Sequence, residues 1–201
     1  MISRDGISPP PDRVKAVEDY PIPTSAKELQ RFLGLLNWFR KFIPNFSAIS
    51  KPPHELLRKG TSFTWTTKHT KCVNELKHRL LHSEVLAFPR FDLPFILSVD
   101  TSSHGIGYML YQILPQESED MTSRIRVIRF GSKGLSRWQR SYGPTKLELL
   151  GMVNSIMDCA QYLRGNKFYV ECDHKALAPL YNNPLNPLTT RILTIFAKYQ
   201  H

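Results

Sequence analysis

The sequence predicts an α/β protein in which a helical N-terminal part precedes a sheet domain. Two stretches, residues 25–43 and 68–83, repeat apolar side chains at helical spacing. From residue 95 the pattern changes to short β-rich runs, FILSVD, IRVIRFGSK and KFYVECD, interrupted by one helical stripe over 147–160.

In chain order, a Pro-rich start, ISPPPDR, leads through a short extended piece to PIPTSAKELQRFLGLLNWFRKFIP. Ser25 and Glu28 have capping-box spacing after Pro23. Leu29, Phe32, Leu33, Leu36, Phe39, Phe42 and Ile43 keep one helical face apolar until Pro44, where the helix should stop. A second helix, FSAISKPPHELLRKG, is expected to break at Pro52 and Pro53 and to close at Gly60. The helix KHTKCVNELKHRLLHS then buries Val73, Leu76, Leu80 and Leu81 and bridges into the sheet.

The first strand runs from Phe95 and stops at Asp100, with a turn through Thr101 to Gly105 and a second strand beyond it. Period-two geometry places Ile96, Ser98 and Asp100 on one face. PQESEDMTSR reads as an exposed loop before the third strand. Glu148 falls in the first turn of the next helix, whose stripe is Leu149, Leu150, Val153, Ile156, Met157 and Ala160. Tyr169, Glu171 and Asp173 share one face of the last strand, and HKALAPLY follows as a helix. The expected organisation is 1–60 as one helical unit, 61–84 as a connecting helix and 85–201 as the sheet domain.

Lys and Arg number 27 against 17 Asp and Glu, a formal charge of +10 and a pI near 9.7. That surplus favours a polyanionic partner, because each phosphate neutralised releases condensed counterions. The cations are spread along the chain: Arg31, Arg40 and Lys41 near the first aromatic stripe, and Arg124, Arg126, Arg129, Lys133, Arg137 and Arg140 before Glu148. The aromatic stripe itself belongs to a core, leaving the flanking cations for phosphate. No apolar run approaches the roughly 20 residues of a membrane span, and MISRDGISPPPDR lacks a signal-peptide apolar region, so an intracellular protein, cytoplasmic or nuclear and without membrane contact, is expected.

Cys72, Cys159 and Cys172 have no C-x-x-C spacing and are expected to be free, mostly buried thiols. His69, Cys72, His78 and His82 resemble zinc ligands in order only. A helix rises roughly 20 Å between the first and last, too far for four ligands around one ion. Asn45-Phe46-Ser47 matches a glycosylation sequon, an accident without a secretory signal.

Three carboxylates stand at element boundaries: Asp100, Glu148 and Asp173. Each has a local explanation, as an Asx turn, a T-x-x-E capping box from Thr145, and a helix N-cap. Brought together by a fold, they would make a divalent-metal site.

The segments around them resemble the pol polyprotein of gypsy-class LTR retrotransposons, from the reverse transcriptase thumb into its ribonuclease H domain. SAKELQRFLGLLNWFRKFIPNFSAISKPPHELLRKG is similar to the thumb signature, and TSFTWTTKHTKCVNELKHRLLHSEVLAFPRFDLPFILSVDTSSHGIGYMLYQ to the junction and first ribonuclease H strands. SRWQRSYGPTKLELLGMV resembles the segment with the catalytic Glu, and YLRGNKFYVECDHKAL the one with the third catalytic Asp. Where many members read Thr-Asp-Ala-Ser this chain has Val99, Asp100, Thr101 and Ser102, and Cys172 replaces a common Thr.

The resemblance implies a ribonuclease H-like mixed sheet with flanking helices, preceded by a small thumb-like helical subdomain. It implies that Asp100, Glu148 and Asp173 bind two Mg²⁺ or Mn²⁺ ions, with Asp100 bridging them, and hydrolyse the RNA strand of RNA/DNA hybrids. Two ions about 3.5–4 Å apart activate water and neutralise the leaving oxygen, which suits hard carboxylate ligands. Arg40, Lys41, His174 and Lys175 are expected to contact nucleic acid. A fourth acid is expected beyond residue 201, together with a last strand and helix, and the polymerase palm and fingers upstream as partners. The alternative is a catalytically impaired remnant that binds nucleic acid or protein.

Overall fold

The computed structural model describes residues 1–4, 6–103, 105–115 and 124–172. Most of the PQESEDMTSR loop and the helix expected after Asp173 lie outside the described residues. The helices are α1 (Pro11–Glu18), α2 (Ala26–Trp38), α3 (Phe46–Glu55), α4 (Thr67–Leu81), α5 (Pro144–Asp158) and the single turn α6 (Ala160–Leu163). The strands are β1 (Phe95–Ser102), β2 (Gly105–Ile113), β3 (Ile125–Gly134) and β4 (Phe168–Glu171), in spatial order β3-β2-β1-β4. Since β1 pairs antiparallel with β2 and parallel with β4, and β2 antiparallel with β3, the sheet is mixed, as expected.

β1 buries Phe95, Leu97, Val99 and Thr101 and leaves Ile96 and Ser98 half-buried and Asp100 exposed, the alternation of a strand with one drier face. Pairing continues through Asp100↔Gly107, Thr101↔Ile106 and Ser102↔Gly105. The strand therefore runs two residues past Asp100, and the expected turn from Thr101 is too early. Tight hairpin pairing supplies partners for backbone groups that the turn reading left to water. β2 is buried along most of its length, because it is central and both sheet faces are covered. One irregularity, where Leu110 pairs Arg129 but Tyr111 pairs Val127, leaves Ile128 as an extra residue, so that Val127 and Ile128 enter different cores.

The helical part departs from the sequence pattern in three places. Residues expected to be extended form α1, with Pro11 at its first position, where its missing N–H costs nothing, and Val17 buried. α2 stops at Trp38, and Arg40–Phe42 form a 3₁₀ turn that still buries Phe39, Phe42 and Ile43. α3 runs through Pro52 and Pro53 instead of breaking there. Two amide donors are lost, but Phe46, Ser50 and Pro53 are buried on the helix face that packs on α4 and β3, and this tertiary burial offsets the local cost of about 3 kcal/mol per interior proline.

The caps agree better. Ser25 Oγ accepts from Glu28 N–H, while the Glu28 carboxylate accepts from the N–H and hydroxyl of Thr24, one residue before the position a capping box uses. α4 is capped by Thr66, whose N–H donates to His69 Nδ1 at 3.0 Å, and buries Val73, Leu76 and Leu80. Leu81, expected to be buried, is 40% exposed because the helix face has rotated past the core at its last residue. α5 has Gly143 as N-cap and Pro144 at its first position, which puts Glu148 in the second turn and removes the Thr145 capping-box reading.

Two apolar clusters lie on opposite sides of the sheet. One gathers α1–α4, with Phe32, Phe39, Leu36 and Leu76 fully buried, and reaches β3 at Val127. The other packs Leu147, Cys159 and Leu163 of the α5–α6 region on Phe95, Leu97 and Val99. Each large side chain buried here is worth roughly 1.5–3 kcal/mol. Of the three cysteines, all free, Cys159 is buried and Cys72 and Cys172 are half-buried.

α5 comes close to β1 at a glycine. A Cβ on Gly151 would lie 1.9 Å from Thr101 Oγ1 and 3.1 Å from its Cβ, so rotation of the threonine cannot make room. Gly151→Ala is expected to lower stability by about 1–3 kcal/mol in urea unfolding. Gly34→Ala, where nothing lies within 4 Å of the added atom on the exposed face of α2, should raise it by about 0.5–1 kcal/mol.

Burial pushes the Cys159 thiol from its ordinary 9.0 up to about 12. The folded state therefore holds this proton more tightly than the unfolded chain. That contribution to stability is complete below pH 9.0 and is lost as pH rises toward 12. Cys159→Ala is expected to flatten the decline of the urea midpoint across this range.

Candidate functional site

Asp100 is an exposed residue of β1, beside a cleft of about 380 Å³ lined by Ser98, Val99, Asp100, Glu171 and Cys172. The parallel register sets Ser98 against Glu171, so the end of β4 adjoins the segment leading to Asp100. Glu171 accepts a hydrogen bond from the Tyr111 hydroxyl at 2.9 Å. Burial, and then the bond to the charged Glu171, push the Tyr111 phenol up to about 12, so it remains a donor. On the neighbouring strand Gly107 pairs with Asp100, and a Cβ there would sit 2.3 Å from Asn45 Oδ1. Glycine thus lets Asn45, in the left-handed region at φ 55°, start α3 directly against the sheet beside Asp100.

Glu148 projects from the second turn of α5 and is 8% exposed. It lies one helical turn before Gly151, about 4.5 Å along the axis, and Gly151 touches the residue after Asp100. Period two separates Thr101, on the α5 side, from Asp100, on the other. Glu148 thus belongs to the α5 side of β1, and Asp100 to the opposite face of the same strand. Asp173, His174 and Lys175 lie outside the described residues. Both described acids offer hard oxygen donors of the kind Mg²⁺ or Mn²⁺ takes. Among the described residues no group of three or more His, Cys, Asp or Glu could hold a metal ion.

A larger cleft, about 620 Å³, opens along β3 between the 3₁₀ turn after α2 and the C-terminal half of α5. Arg40, Lys41, Arg129 and Lys133 line it against one carboxylate, Asp158. Arg40 Nη2 donates to the Ser132 carbonyl and to Ser47 Oγ, and its guanidinium lies 5.3 Å from the Phe46 ring centre. Burial lowers the Arg40 pKa from its ordinary value, with Asp158 opposing. This arginine ties the helical part to the sheet.

Lys41 is exposed, with Nζ 5.1 Å from the Phe42 ring centre. Arg129 pairs with Asp158 at 3.1 Å, Tyr108 donates its hydroxyl to the same carboxylate, and Lys133 Nζ donates to Asn154 Oδ1 at 2.6 Å. Trp38, 54% exposed, borders the cleft. Trp38 is not part of the apolar stripe expected to be buried, and helical spacing alone turns it outward from Leu29, Phe32, Leu33 and Leu36. Nothing local marked the Arg129–Asp158 pair, which joins residues far apart in sequence.

The family profile described as an RNase H-like domain found in reverse transcriptase matches residues 65–170, from just before α4 to the third residue of β4. The chain is 34% identical over 183 residues to a retrovirus-related Pol polyprotein from transposon 297 of Drosophila melanogaster, covering 90% of this chain and 16% of that protein. It is 34% identical over 189 residues to the Pol polyprotein from transposon opus of the same organism, covering 88% and 18%. With the transposon Tf2-3 polyprotein of Schizosaccharomyces pombe it shares 28% over 193 residues, covering 95% and 14%. The chain thus spans less than about a fifth of these relatives' length.

Among solved structures, the foamy viral protease-reverse transcriptase dRH in complex with double-stranded DNA superposes with a TM-score of 0.75 at 22% identity, over 100% of this chain and 35% of that one. The foamy viral protease-reverse transcriptase in complex with RNA/DNA hybrid gives 0.72 at 22%, over 98% and 26%. At that identity the superpositions speak for the fold alone. No helix among the described residues is long and apolar enough to cross a membrane. With the profile covering more than half of its length and Pol polyproteins of LTR transposons as its relatives, the chain belongs to the family of ribonuclease H-like domains found in reverse transcriptases.

Proposed function

We propose that this chain is the thumb-to-ribonuclease H part of a retrotransposon reverse transcriptase and that it serves metal-dependent hydrolysis of the RNA strand in RNA/DNA hybrids. The observation that carries the reading is the placing of Asp100, exposed beside its cleft, next to the strand position that Gly151 of α5 touches, one turn from Glu148. Ser98 faces Glu171 in the parallel register, and Asp100 and Asp173 each follow two residues later in sequence, so Asp173 is the third acid of this proposal.

In this reading Asp100, Glu148 and Asp173 hold divalent ions, Mg²⁺ or Mn²⁺. Two bound ions would supply an activated water and neutralise charge on the leaving 3′ oxygen. The chain's own residues hold carboxylates at that position, keep Tyr111 protonated beside Glu171, and present cations to the duplex. Lys41 and Lys133 at the rim of the larger cleft are the phosphate contacts, together with His174 and Lys175; Arg40, turned into the protein by Ser47 and Ser132, is chiefly a positioning residue. The polymerase palm and fingers would lie in the preceding part of the same polyprotein.

A second reading, a binding module that does not cleave, draws on the same cleft, whose four cations face one carboxylate without needing a metal. Incubation of the chain with labelled RNA/DNA hybrid in Mg²⁺ and in Mn²⁺ separates the two. RNA cleavage is expected, and Asp100→Asn or Glu148→Gln should reduce it by roughly 10²-fold or more, the scale of removing one preorganised charge-stabilising group. Hybrid bound but uncut by the unaltered chain would leave only the second reading.

Lys41→Ala combined with Lys133→Ala is expected to weaken hybrid binding whatever its sequence. The slope of log K against log salt should become shallower by about 0.9 for each phosphate that the variant no longer neutralises. A salt titration by fluorescence anisotropy reads both effects.

A further inference from the structure

The four-residue string His69, Cys72, His78 and His82 fails as one metal site because it spans the length of α4, but its last two members occupy a single turn. His78 and His82 are four apart, on one face of the helix end, and their rings stack with centroids 4.2 Å apart and planes inclined by 29°. Both side chains are exposed.

Their hydrogen bonds fix the chemistry. The backbone N–H of His82, the C-cap residue, donates to the His78 carbonyl at 3.1 Å, and the His82 ring approaches the same oxygen through Nδ1 at 2.8 Å. A carbonyl can only accept, so Nδ1 carries the hydrogen and the neutral ring presents its Nε2 lone pair outward. Metal-binding histidines are commonly held in this way, with the second nitrogen anchored to a carbonyl.

The surroundings favour a cation. The rings border a cleft of about 370 Å³ that also includes Glu75, Arg79 and Glu84. Arg79 is held by Glu75 at 2.6 Å and reaches the Pro44 carbonyl, so its charge is already matched. Counting Glu75 and Glu84 against Arg79, the cleft carries −1 from these side chains. The helix ends here too, and its terminal carbonyls add negative potential.

We propose that His78 and His82 form a two-imidazole site at the end of α4 for a borderline divalent transition cation, of the Ni²⁺, Cu²⁺ or Zn²⁺ type. Small rotations of the stacked rings bring both Nε2 atoms onto one ion at the usual ~2.0–2.1 Å, with water completing the shell. The site is chemically distinct from the carboxylate positions at Asp100 and Glu148, whose oxygen donors suit Mg²⁺ instead. It stands independently of the ribonuclease H reading, since none of its residues belongs to that site.

The test is calorimetric titration of the untagged chain with Ni²⁺, in an Asp100→Asn background so that the carboxylate positions contribute less. One saturable equivalent is expected, accompanied by a rise in Tm through preferential binding to the folded chain. His78→Ala and His82→Ala should each weaken binding by about tenfold or more and remove the Tm rise, whereas His69→Ala at the other end of the helix leaves both intact. Far-UV circular dichroism checks that the variants fold, and His78→Gln and His82→Gln provide the same comparison with smaller changes of bulk. Absence of saturable binding, or binding unaltered in all the His78 and His82 variants, would overturn the proposal.

Discussion

Burial of both faces of the β1–β2 pair is the constraint on which the rest of the structure depends. β2 has almost no exposed position, so neither sheet face can be left to solvent. The helical part covers one face through α3 and the 3₁₀ turn, and α5 covers the other through its contact at Gly151. Each cover brings polar side chains with it: Asn45 arrives beside Asp100 on one side, and Glu148, one turn before Gly151, arrives on the Thr101 side. The candidate site is thus a by-product of closing the sheet, and its precision is that of the two packings.

Polar groups taken out of water in this arrangement find specific partners. Gln112, 2% exposed, uses its amide to accept from Arg90 N–H and to donate to the Arg90 and Leu93 carbonyls, which anchors the loop leading into β1. Arg40 performs the equivalent task between the helical part and β3, joined there by Ser47 and Ser132. These bonds add modest net stability individually, but breaking one would strand a partly buried donor or acceptor. They set the relation between the cationic cleft and the strand that carries Asp100.

Charge is distributed to match. The cleft along β3 keeps a cationic surplus although Arg129 and Lys133 are engaged with Asp158 and Asn154, because one carboxylate faces four cations, Asn154 carries no charge, and Lys41 stands exposed. The Asp100 cleft, in contrast, is lined among the described residues by the carboxylates Asp100 and Glu171 and by no cation.

Residue type and local period determined much of this protein directly. The stripe from Leu29 to Ile43 is buried at every position read from spacing, α4 has its expected face apart from Leu81, and the alternation of β1 puts Asp100 on the face expected. The identity of the acids and the basic surplus are likewise properties of the sequence alone. Tertiary structure decided what depends on residues far away in the chain. α3 survives Pro52 and Pro53 because α4 and β3 bury its other face; β1 passes Asp100 because β2 pairs with it; Glu148 sits a turn deeper because the helix begins at Pro144; and Arg40 is drawn inward by Ser132, 92 positions on. Periodicity reports only which side of an element is apolar, whereas pairing, burial and charge neighbours are set by contacts that no local window contains.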